Sequence, residues 1–202
     1  MKKLLIVVFG EKRHGKNEVA RAIAEKLGGL TVAFADALKL GVEMLVGVPH
    51  DLPDAEKETR LFYGRTARYW WQWYGTEVGR QGVDANVWVD RIVDYMRRAP
   101  HGMVVSVSDG RFYNERVVPS ERLAEAVDAL IAGEVDEIVV MNVLVFRPGL
   151  PETDMHASET EVRDMRKRAL AGEQLFDEVI LNDGTLEELV EKAERVAIQV
   201  AR

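Results

Sequence analysis

The sequence predicts an α/β fold, a five-stranded, mostly parallel sheet with helices on both faces. Three observations carry that expectation. Short apolar runs alternate along the chain with stretches whose apolar residues recur at helical spacing. The first apolar run leads directly into a glycine-rich loop and then a helix. Charged residues follow the ends of successive predicted strands, where a parallel sheet gathers its ligands.

Composition narrows the class. The 202 residues suit one domain, 1–202, and at 47% hydrophobic and 30% charged the chain can bury a sizeable core. A net charge of −7 argues against broad binding to a nucleic-acid polymer or an anionic membrane, but leaves room for a local basic pocket. With no cysteine, disulfides, thiolate catalysis and cysteine-type zinc sites are excluded. The same absence suits a cytoplasmic setting. The opening MKKLLIVVFG superficially resembles a signal peptide, but its apolar core is short and runs into the glycine-rich loop. No apolar run approaches membrane-spanning length.

Leu4 to Phe9 is the first strand, and G-x-x-x-x-G-K follows with Gly10, Gly15 and Lys16 in place. In strand–loop–helix context this is a phosphate-binding P-loop, and the architecture becomes a three-layer P-loop NTPase fold with a small lid. Its backbone N–H groups turn inward, the following helix adds a positive end, and Lys16 brings a point charge to the β and γ phosphates. Gly10, Lys12, Arg13, His14, Gly15, Lys16, Asn17 and Glu18 are the expected nucleotide contacts. Asn17 stands where a Ser or Thr hydroxyl usually ligates Mg²⁺; its amide oxygen could reach the ion directly or through water.

Residues 17–27 place Val19, Ala20, Ile23, Ala24 and Leu27 on one helical face, and Gly28 and Gly29 stop that helix. Leu30 to Phe34 is a second strand, with Asp36 as N-cap of the next helix and Lys39 one turn on. Residues 47–60 form a loop with room for a short helix. Residues 61–80 are expected to be helical to about Tyr74, to break at Gly75 and then to turn. The next helix, 86–98, would bury Val87, Ile92, Val93 and Met96. Met103 to Ser108 is the third strand, closed by Asp109, Gly110 and Arg111. A mostly helical stretch over 113–131 contains Pro119. Ile138 to Phe146 is the fourth strand, ended by Arg147. A polar loop, a basic helix over 161–170, a short strand at Val179 to Leu181 and a helix over 185–200 complete the chain.

The candidate chemistry lies at the strand ends. Asp109 either holds Mg²⁺ or serves as a turn aspartate before Gly110; Arg111 either contacts a phosphate or pairs with Asp109. Among Trp70, Trp71 and Trp73 at least one belongs to core packing. The sharper alternative is a nucleobase platform, with Gln72 bonding a base edge and Arg65, Arg68 and Arg80 gripping a phosphate. Asp154, His156 and Glu159 look more like a solvated helix start, with Ser158 and Glu161 as a capping box, than a metal site. Arg163, Arg166 and Arg168 either close over phosphates or form a solvated face.

Several segments together resemble the bacteriophage deoxynucleoside monophosphate kinases: GEKRHGKNEVA, FADALK, QWYGTEVGR, NVWV, SDGRFYNE, the D-x-H-x-S-E at 154–159, and ILNDGT. They span residues 6 to about 190, and animal phosphomevalonate kinases are similar over several of them. The resemblance implies transfer of the γ-phosphate of ATP, with Mg²⁺, to a phosphate monoester. By position, Lys16 and Arg13 serve the ATP phosphates, and Arg147 lies in the nucleotide-binding set. Asp36, Lys39, Arg65, Arg68, Trp71, Gln72 and Arg80 face the acceptor, from an insertion at about 40–100. Asn17 and Asp109 serve the metal, Arg111 the phosphates, and residues 147–172 act as a lid. Lys16, Arg13, Asp36, Arg80, Asp109 and Arg111 form the implied catalytic set. Asn17 and Gly110 depart from the pattern, a bulkier residue being expected after Asp109. The implied partners are small nucleotides, for a monomer or homodimer. Other acceptors, phosphomevalonate or a 5-hydroxymethylpyrimidine in phage DNA, and a non-catalytic nucleotide-binding role stand as alternatives.

Overall fold

Seven strands are present in the computed structural model, which describes residues 2–124, 137–152 and 156–201. They are β1 (Lys3–Phe9), β2 (Leu30–Val32), β3 (Leu61–Phe62), β4 (Arg65–Thr66), β5 (Val104–Gly110), β6 (Ile138–Phe146) and β7 (Glu178–Leu181). Five of them form one sheet in the order β2-β5-β1-β6-β7, and every neighbouring pair is parallel. The three-layer P-loop fold expected from the sequence is the fold observed.

All seven residues of β1 are buried, which explains why it is an apolar run without alternation. Leu4, Ile6 and Val8 pack with Val19 and Ile23 of α1 (Lys16–Leu27) and with Leu189, Ala193 and Val196 of the last helix, Leu186–Val200. Leu5, Val7 and Phe9 point to the opposite face and are 0% exposed. The connection from β1 through α1 to β2 crosses the sheet one way. That from β5 through the helix Tyr113–Ala124 to β6 crosses it the other way. Right-handed crossovers put these two helices on opposite faces.

The chain divides into two compact units, residues 1–33 with 93–202 and residues 34–92. The first holds the sheet. The second contains α2 (Ala35–Val46), the β3–β4 hairpin, α3 (Ala67–Trp73) and the start of α4 (Val87–Arg98). Its core is Val42, Val48, Leu52 and Ala67, with Phe62, Trp70, Trp71 and Tyr74 packed against it. The later helices are α5 (Tyr113–Ala124), α6 (Ala157–Leu170) and α7 (Leu186–Val200).

Several local expectations are corrected. Residues 61–66 are a hairpin, not the start of a helix, because Tyr63 and Gly64 both adopt positive φ (49° and 73°) and so build a two-residue turn that matches strand twist. The helix begins only after Thr66, whose hydroxyl accepts from the Tyr69 N–H at 3.2 Å. Gly75 is not a break: the chain continues from α3 into a π-helical segment, Tyr74–Gln81. The Gly75 carbonyl in this segment also accepts from the Trp88 indole N–H at 2.9 Å. Residues 47–60 contain turns and no helix. Asp36 is not an N-cap, since Phe34 is already helical (φ −56°, ψ −32°) and Asp36 falls in the first turn of α2. In α4, Ile92, Val93 and Met96 are buried as expected, Trp88 and Val89 are buried as well, and Val87 is only half-buried.

The helix α6 starts at Ala157, four residues before the expected 161. His156 is its N-cap, its ring nitrogen accepting from the Ser158 N–H at 3.3 Å. Ser158 and Glu161 therefore form no capping box; Glu161 instead accepts from the backbone N–H of Tyr113. Of the expected helix over 113–131, residues 113–124 are helical with Pro119 inside, and 125–131 lie outside the described residues.

Candidate active site

The glycine-rich loop joins β1 to α1 at the carboxyl edge of the sheet. Gly15 is the N-cap of α1 with φ 100°, a left-handed conformation that side chains rarely adopt. A Cβ there would lie 2.9 Å from the Asn182 amide and the Leu189 side chain. Arg13 also has a positive φ, 68°, and its side chain is exposed. Strain of that kind at a non-glycine residue is typical of ligand-binding turns. The Asn182 amide donates to the His14 carbonyl at 3.0 Å, tying the loop to the end of β7. Sequence reasoning missed Asn182, although it sits in the ILNDGT segment that contributed to the resemblance.

Lys16 is 6% exposed. Its ammonium folds back over the loop, donating to the carbonyls of Gly10 at 2.6 Å and Glu11 at 2.9 Å. Burial, then the charge of Arg111, lower its pKa from the ordinary 10.5 to about 8; Glu159, Asp109 and Glu11 oppose that fall. The structure therefore brings Lys16, Asp109 and Arg111 into one electrostatic cluster and adds two carboxylates, Glu159 and Glu11.

Glu159 is one of them. At 2% exposure it is no solvated helix start. It accepts from the Lys12 backbone N–H at 2.9 Å and pairs with the Arg111 guanidinium. Asp154, its proposed companion, lies outside the described residues, and His156 is occupied as an N-cap. Among the described residues no group of three or more metal-ligating side chains is assembled. Glu11 is the other carboxylate, 5% exposed and paired with Arg163 Nε at 2.8 Å. Arg166 Nε approaches it at 2.9 Å, without hydrogen-bond alignment. Arg163 and Arg166 are thus buried against the loop, whereas Arg168 is half-buried and paired with Glu173. These burials had no signal in the sequence, where α6 has the polarity of a solvated helix.

The other loop residues fall into two groups. Lys12 and Asn17 are exposed, and Glu18 pairs with Arg21 on α1. His14 turns inward: it is 4% exposed, its ring lies 5.7 Å from that of Phe146, and burial lowers its pKa. Its imidazole belongs to the support beneath the loop. Arg147 is exposed just beyond β6. Gly110, where a bulkier residue was expected, faces the Phe9 ring; a Cβ would come within 2.9 Å of it. The register between β1 and β5 slips between Val7 and Phe9, and that slip seats the ring on the glycine.

The second unit carries the remaining candidates. Lys39 Nζ lies 5.4 Å from the centre of the Trp71 ring, and the Trp71 indole N–H is buried without a hydrogen-bond partner. Arg68 pairs with Glu58, Arg65 stacks on Tyr69 at 4.9 Å, and Arg80 contacts the Gly75 carbonyl at 3.5 Å. Gln72 and Asp36 are exposed. Trp70 takes the packing role, its indole donating to the Phe62 carbonyl at 2.8 Å.

A G-x-x-x-x-G-K loop between β1 and α1 of this parallel sheet defines a P-loop fold. No protein-family model matches the chain. It is 28% identical, over 92% of its length and 91% of the other's, to a protein of Acanthamoeba polyphaga mimivirus named "Putative deoxynucleotide monophosphate kinase". Among solved structures it is similar to shikimate kinase from Acinetobacter baumannii in complex with shikimate, at 16% identity, with a TM-score of 0.43 over 98% of this chain and 93% of that one. Dephospho-CoA kinase from Campylobacter jejuni gives 12% identity and a TM-score of 0.37 over 98% and 97% of the two chains.

Proposed function

We propose that this chain is a P-loop kinase that transfers the γ-phosphate of ATP to a deoxynucleoside 5′-monophosphate, giving ADP and a deoxynucleoside diphosphate. The observation that carries the reading is the cluster of Lys16, Asp109 and Arg111 around the phosphate-binding loop. The likeness to the mimivirus protein over most of both chains supports the acceptor class.

The chemistry asks for little more than such a cluster. A phosphate-monoester acceptor is mostly ionised at neutral pH, its second pKa being about 6, so no general base is needed. Loop N–H groups and Lys16 bind the donor phosphates; Lys16 and Arg111 offset charge on the transferred group; alignment does the rest. Arg13, Lys12, Glu18 and Arg147 complete the donor side in this reading, with His14 packed beneath the loop. Asn17 and Asp109 offer one amide oxygen and one carboxylate. That set suits Mg²⁺, which takes few protein ligands and keeps water and substrate oxygens. Bound there, the ion would neutralise phosphate charge. Residues 34–92, with Asp36, Lys39, Arg65, Arg68, Trp71, Gln72 and Arg80, are the proposed acceptor unit, and residues 147–172 the proposed lid, whose helix α6 packs on the loop and would exclude water there.

ADP formation measured over a panel of monophosphates tests the reading. Deoxynucleoside monophosphates should stimulate ATP consumption most. Preference for phosphomevalonate or a hydroxymethylated pyrimidine would change the acceptor. ATP binding with no acceptor-stimulated turnover would leave a non-catalytic nucleotide-binding protein.

A further inference from the structure

We propose that Glu159 is a positioning residue, holding the Arg111 guanidinium and the Lys12 end of the P-loop in the arrangement that phosphoryl transfer requires; the inference rests on the kinase reading above. A carboxylate 2% exposed must have its charge met by partners. Glu159 has one for each oxygen. Oε2 accepts from the Lys12 N–H at 2.9 Å, and Oε1 accepts from Arg111 Nη1. These partners come from two different elements, the loop after β1 and the end of β5. The carboxylate therefore cross-links the two segments that carry the phosphate-facing cations.

The arrangement is held from both sides. Glu159 lies in the first turn of α6, where its N–H bonds the His156 carbonyl at 2.9 Å and the helix end favours a negative charge. The same helix grips the loop again through Arg163 and Glu11 at 2.8 Å. Arg111 is pinned at its backbone as well, its N–H donating to Glu115 Oε2 at 2.8 Å. With five N–H donors, a guanidinium that spends one on Glu159 still has donors for a phosphate. Lys16 and Arg111 repel each other, and Glu159 lies close enough to offset that repulsion. Without its charge the two cations would move apart.

The test uses Glu159→Gln and Glu159→Asp, alone and with Arg111→Ala. It reads kcat and KM for both substrates, ATP affinity by calorimetry, and Tm. Glu159→Gln should lower kcat by about tenfold to a hundredfold, the usual effect of losing a supporting contact, while changing ATP affinity far less. Glu159→Asp, which keeps the charge, should recover part of that kcat. In the Arg111→Ala background Glu159→Gln should change kcat by less than about twofold, since residues acting through one another are not additive. An unchanged kcat in Glu159→Gln, or an equal fall in both backgrounds, overturns the inference. If Glu159→Gln does not fold, wild-type kcat in a folded Glu159→Asp overturns it in favour of a structural role. Absence of turnover in the wild-type protein over the whole panel defeats the kinase reading itself, and this inference with it.

Discussion

Lys16 combines two demands that pull against each other. In the proposed reaction its ammonium must be charged to meet phosphate, yet it is buried and shares its surroundings with Arg111. A lysine whose folded pKa falls to about 8 from 10.5 disfavours its own charge in the fold. Between those values the unfolded chain binds more protons, so this group makes stability rise with pH across that window. Phosphate binding works the other way, since it favours the charged form. ATP affinity should therefore weaken as pH rises through about 8, and binding near that pH should take up protons. Calorimetry in buffers of different ionisation heat reads the uptake directly; none at pH 8 to 8.5 would count against it. Lys16→Ala should abolish most turnover, and wild-type rates in that variant would put the site elsewhere. Lys16 was legible from the motif. The state of its charge was not, because burial and Arg111 reach it only through the fold.

Among the elements, β1 and β5 explain a departure that the sequence left open. Gly110 takes the place of an expected larger residue because the slipped register brings the Phe9 ring onto it. Gly110→Val should overpack that contact and cost about 1–3 kcal/mol, measured as a lower midpoint in denaturant. The C-terminal helix α7 gives a second check. Thr185 and Glu188 form a reciprocal capping box, with bonds of 3.3 and 2.9 Å. Thr185→Ala should cost about 1 kcal/mol, with little effect on turnover. The central strands β1, β5 and β6 were legible because burial on both faces produces unbroken apolar runs, whereas the hairpin strands β3 and β4 were not. Local geometry misled the reading at 61–81, where a two-residue turn and a π-helical segment replace a helix and its break.

At the scale of the molecule, a net charge of −7 accompanies a mixed cluster at the P-loop, where Lys16 and Arg111 lie among Asp109, Glu11 and Glu159. Binding to single-stranded or duplex DNA should accordingly be negligible at physiological salt, as fluorescence anisotropy would show; tight, salt-dependent binding would revive a polymer acceptor. No helix among the described residues is long and apolar enough to cross a membrane. The sequence by itself determined the parallel sheet, the loop and the cations Lys16 and Arg111, because periodicity and motif spacing are local properties of the chain. Only the tertiary structure decided what neutralises them. Glu11, Glu159, Arg163 and Arg166 have the composition of a solvated surface, and they become a buried network because α6 packs onto the loop. Such pairings join residues about 150 positions apart, beyond the reach of any pattern read along the chain.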